Sequence, residues 1–121
     1  MTVKRIVANL AVKSVPTAQK FYMNLFGLEV VMDHGWITTL SSGEMATVQI
    51  SLASEGGSGT PVPDLSIEVD NVDAVYELAK KLEHKIVYDL TDEPWGVRRF
   101  YLCDPNGKIL NVLSHPCQKS H

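Results

Sequence analysis

Two tryptophans stand in comparable settings along this chain, Trp36 within "HGW" and Trp95 within "PWG". An indole presents a flat, rigid face that stacks on a planar guest at little entropic cost. Arg98 and Arg99 follow the second tryptophan. Alternation along a strand sends them to opposite faces, so one can hold an anion or pair with Glu68 while the other meets solvent or a partner subunit. Asp64 and Glu68 are the carboxylates that could serve as a general base, since burial beside an amide lifts a carboxyl pKa into a useful range. The histidines, His34, His84, His115 and His121, include no closely spaced pair that would clip a metal locally. They are read as exposed or edge residues, with His34 kept because "DHGW" could place it at the mouth of a cleft. Cys103, in a hydrophobic run, and Cys117, in a polar tail, are read as free thiols in a reducing compartment. There is no G-x-S-x-G, Walker or dinucleotide fingerprint.

The elements that must position these residues repeat. A strand over 4–12 is followed by a helix over 15–26, with Ser14 as N-cap and Pro16 in the first turn, where no hydrogen bond is lost. Val15, Ala18, Phe21, Tyr22 and Leu25 recur every three or four residues and predict its buried stripe. Gly27 supplies the residue that ends it. Strands are expected at 28–32, 35–40 and 46–52, the last two separated by "SSGE". Residues 53–63, "ASEGGSGTPVP", read as a surface linker. The pattern then restarts: a strand at 65–69, an Asn71-capped helix over 72–82 with Val75, Leu78, Ala79 and Leu82 on one face, and strands at 86–90, 97–103 and 109–114. "DPNG" forms the last turn. The expectation is one domain over 1–121, made of modules 4–52 and 64–114 joined by linker 53–63. Each module has strand-helix-strand-strand-strand order, and two such sheets facing each other would leave a cleft.

With 121 residues, 45% of them hydrophobic, and a net charge of −3, the chain can bury a core without disulfide or structural metal. No cluster of four or more Lys and Arg occurs, which argues against nucleic acid. No signal-peptide core and no apolar run of about 20 residues occurs, so a cytoplasmic protein with no membrane association is expected.

Three segments, "NLAVKSVPTAQKFYMNLFGLEV" (9–30), "LSIEVDNVDAVYELAKKL" (65–82) and "EPWGVRRFYLCDPNGKILNVL" (93–113), resemble the vicinal oxygen chelate superfamily. That superfamily includes glyoxalase I, the bleomycin resistance proteins, fosfomycin resistance enzymes and extradiol dioxygenases. The resemblance implies an α+β fold of two βαβββ modules forming curved mixed sheets around a cleft. It also implies a homodimer, with modules kept within one chain or exchanged. Its metal-using members place ligands at positions that fall here on Val7, Gln49, Asp64 and Asn111. One carboxylate, two neutral amides and a valine make a poor cradle for zinc, iron or nickel, so neither metal nor other cofactor is expected.

If Val7 and Asp64 face the cleft, so do Asn9, Thr47, Gln49, Ser66, Glu68 and Asn111, while Leu10, Val12, Ile67 and Val69 face the helices. Bleomycin-resistance-like members share the pattern present here as "PWGVRRF", which in them resembles part of a drug-binding trough. The candidate ligand-binding residues are therefore Asn9, Trp36, Gln49, Ser66, Glu68, Trp95, Arg99 and Asn111; which of Arg98 and Arg99 faces inward stays open. The implied function is metal-independent binding or sequestration of a small organic molecule or drug. The alternatives are a lyase, isomerase or dioxygenase-like enzyme acting on a small oxygenated metabolite, with Glu68 or Asp64 as base, and an interaction module whose cleft is filled by side chains.

Overall fold

The computed structural model describes residues 1–42 and 49–116. Thr47, Cys117, His121, residues 43–44 of the expected turn and 46–48 of the expected strand lie outside the described residues. The chain forms two compact units, residues 7–62 and residues 63–121 together with 1–6.

In the first unit, β1 (Val3–Ala11, of which 7–11 belong here) is followed by α1 (Val15–Phe26), β2 (Glu29–Asp33), β3 (Ile37–Ser41) and β4 (Gln49–Ala53). The strands lie in the order β2-β3-β4-β1, with β1 parallel to β4 and the others antiparallel. Ser14 Oγ accepts from Thr17 N–H at 3.3 Å, capping α1. Gly27 ends α1 at φ +68°, a left-handed conformation that a side chain would strain. Leu40 and Leu52, on one sheet face, are fully buried.

The second unit repeats the order: β5 (Leu65–Val69), α2 (Val72–Lys81), β6 (Ile86–Asp92), β7 (Arg98–Cys103) and β8 (Ile109–Ser114). Its strands lie β6-β7-β8-β5, with β5 parallel to β8. Asn71 Oδ1 accepts from Ala74 N–H at 3.1 Å to cap α2. Ser114 Oγ accepts from Val72 N–H and donates to the Val69 carbonyl, fastening the start of α2 to the end of β8. Val69, Val72, Ala79, Phe100 and Val112 form the core, with Ile67, Val75, Tyr76, Ile86, Leu90 and Leu102 packed around it. One sheet face therefore meets α2. By the period of two, Ser66, Glu68, Arg99, Tyr101, Asn111 and Leu113 line the other.

The helix faces differ from expectation. Phe21 and Leu25 of α1 are exposed; its half-buried stripe is Ala18, Gln19, Tyr22 and Met23. The Tyr22 ring meets those of Phe21 and Phe26 on the helix surface. In α2, Leu78 and Leu82 are likewise exposed, and the packed face is Val72, Val75, Tyr76 and Ala79. Both corrections have one cause: several apolar residues satisfy a spacing of three or four, and the sheet chooses among the overlapping stripes by a rotation that spacing alone does not encode. The linker also differs from a plain surface connection. Gly56, Gly57 and Pro63 are buried, and Gly56 N–H donates to the Thr60 carbonyl at 2.8 Å. No helix among the described residues is long and apolar enough to cross a membrane.

Candidate functional site on the sheet face away from α2

The residues with chemistry in the C-terminal module gather on the face opposite α2. One row runs Ser66–Asn111–Tyr101–Tyr88 across β5, β8, β7 and β6, and the next runs Glu68–Leu113–Arg99–Thr91. Parallel β5–β8 pairing sets Ser66 beside Asn111, and Asn111 Nδ2 donates to Ser66 Oγ at 3.0 Å. Asn111 is 8% exposed, and its Oδ1 is buried with no hydrogen-bond partner among the described residues. Turning the amide over would exchange the two ends and still leave one of them unmatched.

Arg99 is the most enclosed charge. Its Nε donates to Glu93 Oε2 at 2.7 Å and its Nη1 to Tyr101 Oη at 3.2 Å. The guanidinium carbon lies 5.0–5.2 Å from the ring centres of Tyr88, Trp95 and Tyr101. Tyr88 Oη donates to the same Glu93 oxygen at 2.7 Å. Both charged side chains are at most 3% exposed, so each exists in the interior only because the other neutralises it. Three aromatic faces around a planar cation add cation–π attraction. Arg98 turns to the α2 side, paired with Asp73 at 2.9 Å and Asp92 at 3.0 Å. The two arginines thus lie on opposite faces, and Arg99 shares its face with Glu68 and Asn111.

Glu68 does not meet Arg99. Its Oε1 accepts from Arg5 Nε at 3.0 Å, and its Oε2 lies 2.9 Å from His115 Nδ1. Sequence reasoning read His115 only as an exposed or edge residue, with no part in the sheet face. The signal available was its parity with Ile109, Asn111 and Leu113, which puts it on their face once the strand is prolonged by one residue. Glu93 was missed too, because a glutamate before Pro-Trp reads as a loop charge until the turn, closed by Glu93 N–H to the Val97 carbonyl at 2.7 Å, carries it inward.

In the N-terminal module the corresponding row is Asn9–Ser51–Thr39. Thr39 Oγ1 and Ser51 Oγ are 2.7 Å apart, both buried. Asn9, Gln49 and Trp36 are half-buried, and the exposed ring of His34 stacks on Trp36 at 6.2 Å.

The four positions where the resemblance puts metal ligands hold little that grips an ion. Val7 has no donor atom. Asp64 Oδ2 already accepts from Ile109 N–H at 2.8 Å, and Gln49 and Asn111 offer neutral amides. Among the described residues no group of three or more His, Cys, Asp and Glu is gathered to hold a metal. This donor set does not fit a catalytic divalent ion.

Residues 6–115 match the family described as Glyoxalase-like domain. No protein of curated function matches the sequence. Among solved structures, the chain is similar to NAD-dependent benzaldehyde dehydrogenase from Legionella pneumophila (18% identity, TM-score 0.73, 91% of this chain and 98% of that one). It is similar to a glyoxalase/bleomycin resistance protein/dioxygenase superfamily member from Vibrio splendidus 12B01 (18%, 0.68, 93% and 98%). It is also similar to methylmalonyl-CoA epimerase from Mycobacterium tuberculosis (13%, 0.65, 96% and 89%). At these identities the likeness speaks for the fold. With the family match across nearly its whole length, the two βαβββ modules place this chain in the glyoxalase/bleomycin resistance, or vicinal oxygen chelate, superfamily.

Proposed function

We propose that this protein binds a small, partly polar organic molecule without the help of a metal, in the manner of the drug-sequestering members of its superfamily, and that it works as a cytoplasmic homodimer. The candidate contacts are Ser66, Glu68, Trp95, Arg99 and Asn111 in the second module and, taken separately, Asn9, Trp36 and Gln49 in the first. The observation that carries this reading is the state of Asn111. It occupies a metal-ligand position of the superfamily, yet it is a neutral amide with one buried polar atom unmatched. Such an atom is too weak a ligand to retain a divalent ion, but it rewards a guest that brings the complementary hydrogen-bonding group. Arg99, already neutralised by Glu93, contributes as a rigid floor for Trp95 and not as a free anion anchor.

Tryptophan fluorescence titration against a panel of planar cationic and peptide-like antibiotics tests the proposal. The expected result is saturable quenching by at least one compound, with Kd raised tenfold or more by Asn111→Leu and by Trp95→Phe. A flat response across the panel counts against sequestration. Stoichiometric micromolar binding of Ni²⁺, Zn²⁺ or Mn²⁺, measured in parallel, overturns the metal-independent reading.

A second reading, a lyase or isomerase acting on a small oxygenated metabolite, is favoured by one observation, the pairing of Glu68 with His115.

A further inference from the structure

Three large apolar side chains of α1 face outward among the described residues: Phe21, Leu25 and Phe26 are 56%, 62% and 61% exposed. They make one surface. The Tyr22 ring meets Phe21 edge-on at 5.1 Å and stacks on Phe26 at 6.0 Å, and Leu25 lies one helical turn beyond Phe21. The other helix supplies an internal comparison. Leu78 and Leu82 of α2 are 52% and 57% exposed, but that helix also carries Asp73, Glu77, Lys80 and Lys81. Apolar residues scattered among charges are ordinary surface, whereas a continuous uncharged patch marks an interaction site. In α1 the single charge is Lys20, which the helical repeat turns to the far side of Phe21 from Leu25. Roughly 100 Å² of each of the three side chains stays wet, on the order of 300 Å² in all. Two such patches, with the usual polar rim, bury about 1,000 Å² in total, the least that a specific interface needs.

We propose that the α1 face of Phe21, Tyr22, Leu25 and Phe26 is where a second copy of this chain docks, with the two α1 helices packed across a two-fold axis. The inference rests on the homodimer proposed above and assigns its contact. In a self-complementary contact the same patch serves both partners, so a charge inside it meets its like. No charge lies between Phe21 and Phe26, and this face can therefore oppose itself without repulsion. A lipid surface is the poorer occupant, because helices that lie on membranes are rich in Lys and Arg on the polar face and α1 has one lysine. Sheet extension through the edge strand β2 is poorer as well. Its register shifts between Val30 and Met32, and antiparallel pairing with its own copy about Val31 sets Glu29 against Asp33. Contact between helix faces is what remains.

Sedimentation equilibrium of the full chain, from nanomolar to high-micromolar concentration, tests the contact. The wild type should dimerise. Leu25→Glu sets a carboxylate against an apolar surface and against its own copy, and should raise the dimer Kd by about 10²-fold or more. Leu78→Glu makes the same change on α2 and should move the Kd by about twofold or less. A dimer that Leu25→Glu leaves intact, or that Leu78→Glu weakens equally, overturns the α1 contact and leaves the homodimer to another surface. Should Leu25→Glu fail to fold, NMR of the wild type decides. The Leu25 methyl and Phe21 ring signals should shift as dilution crosses the Kd while the Leu78 methyls stay in place, and unmoved Leu25 methyls on dissociation overturn the assignment. A wild type that stays monomeric throughout sinks the contact and the homodimer together, whether a membrane or a different protein then proves to cover the patch.

Discussion

The two modules share strand order, parallel first-to-last pairing and helix caps at Ser14 and Asn71, yet the faces they turn away from their helices have little in common. The row Asn9–Ser51–Thr39 of the first corresponds to Ser66–Asn111–Tyr101 of the second. Where the first closes on itself through two small hydroxyls 2.7 Å apart, the second leaves an amide atom unmatched beside a caged arginine. Two residues before each tryptophan the contrast recurs: His34 is exposed and stacks on Trp36, whereas Glu93 is buried and neutralises Arg99. The helix-side faces must both make a dry core, and that requirement keeps them alike. The opposite faces carry no such requirement, and chemistry has accumulated on one of them.

That contrast is broken most forcefully at Glu93. Glu93→Ala leaves the Arg99 guanidinium buried without its partner, a change expected to cost about 3–5 kcal/mol. The corresponding change in the first module, His34→Ala, removes an exposed ring and should stay within about 0.5 kcal/mol. The double variant Glu93→Leu/Arg99→Met should recover most of the loss, because apolar replacement of a whole buried pair is often neutral or better. Urea denaturation of the three variants checks this. Similar losses in Glu93→Ala and His34→Ala would show that the two turns are equivalent after all.

A smaller effect sharpens the comparison of rows. Thr39→Val strands the buried Ser51 hydroxyl and should cost about 1–3 kcal/mol, most of it regained in Thr39→Val/Ser51→Ala, where neither partner remains. Asn111→Leu removes one hydrogen bond but also an unmatched buried atom, so its cost should be about 1 kcal/mol or less. If Asn111→Leu proves the more damaging of the two in thermal melts, the amide is a structural residue and its state says nothing about a guest.

The elements were legible in the sequence because each carried a local signal. Helices over Val15–Phe26 and Val72–Lys81 were announced by their caps and apolar spacing, and strands Leu65–Val69 and Ile109–Ser114 by β-branched runs between turn residues. Helix rotation was not legible, since Phe21 and Leu25 fit the same spacing as the residues that pack. The second module's chemistry was half visible. Period-two alternation grouped Ser66, Glu68 and Asn111 on one face, but the partner of Arg99 lay in a turn where no periodicity operates. His115 escaped because it stands one residue past its strand: its parity with Asn111 and Leu113 becomes a signal only once the strand is prolonged, and the strand's end depends on its neighbours. The signals that failed were all non-local.

The smallest expected effect tests the row that holds Glu68, whose counterpart in the first module is Ala11, a residue with nothing to titrate. Glu68 has a folded pKa below its ordinary value because His115, Arg5 and Lys4 outweigh its burial. A depressed carboxyl pKa adds stability that is fully present above the unfolded carboxyl range and is lost as pH falls through the folded value. Stability measured from neutral to acid pH should therefore decline less in Glu68→Gln than in the wild type. The difference should be about 1 kcal/mol or less, because both cationic partners are partly exposed. Added salt should shrink it further by screening those partners. Ala11→Gln, placed at the matching position of the first module, should leave the acid limb of the curve where the wild type has it. Parallel curves for wild type and Glu68→Gln across the whole range would mean that Arg5 and His115 do not hold this carboxylate in solution, and the asymmetry between the two faces would then rest on the Arg99 cage alone.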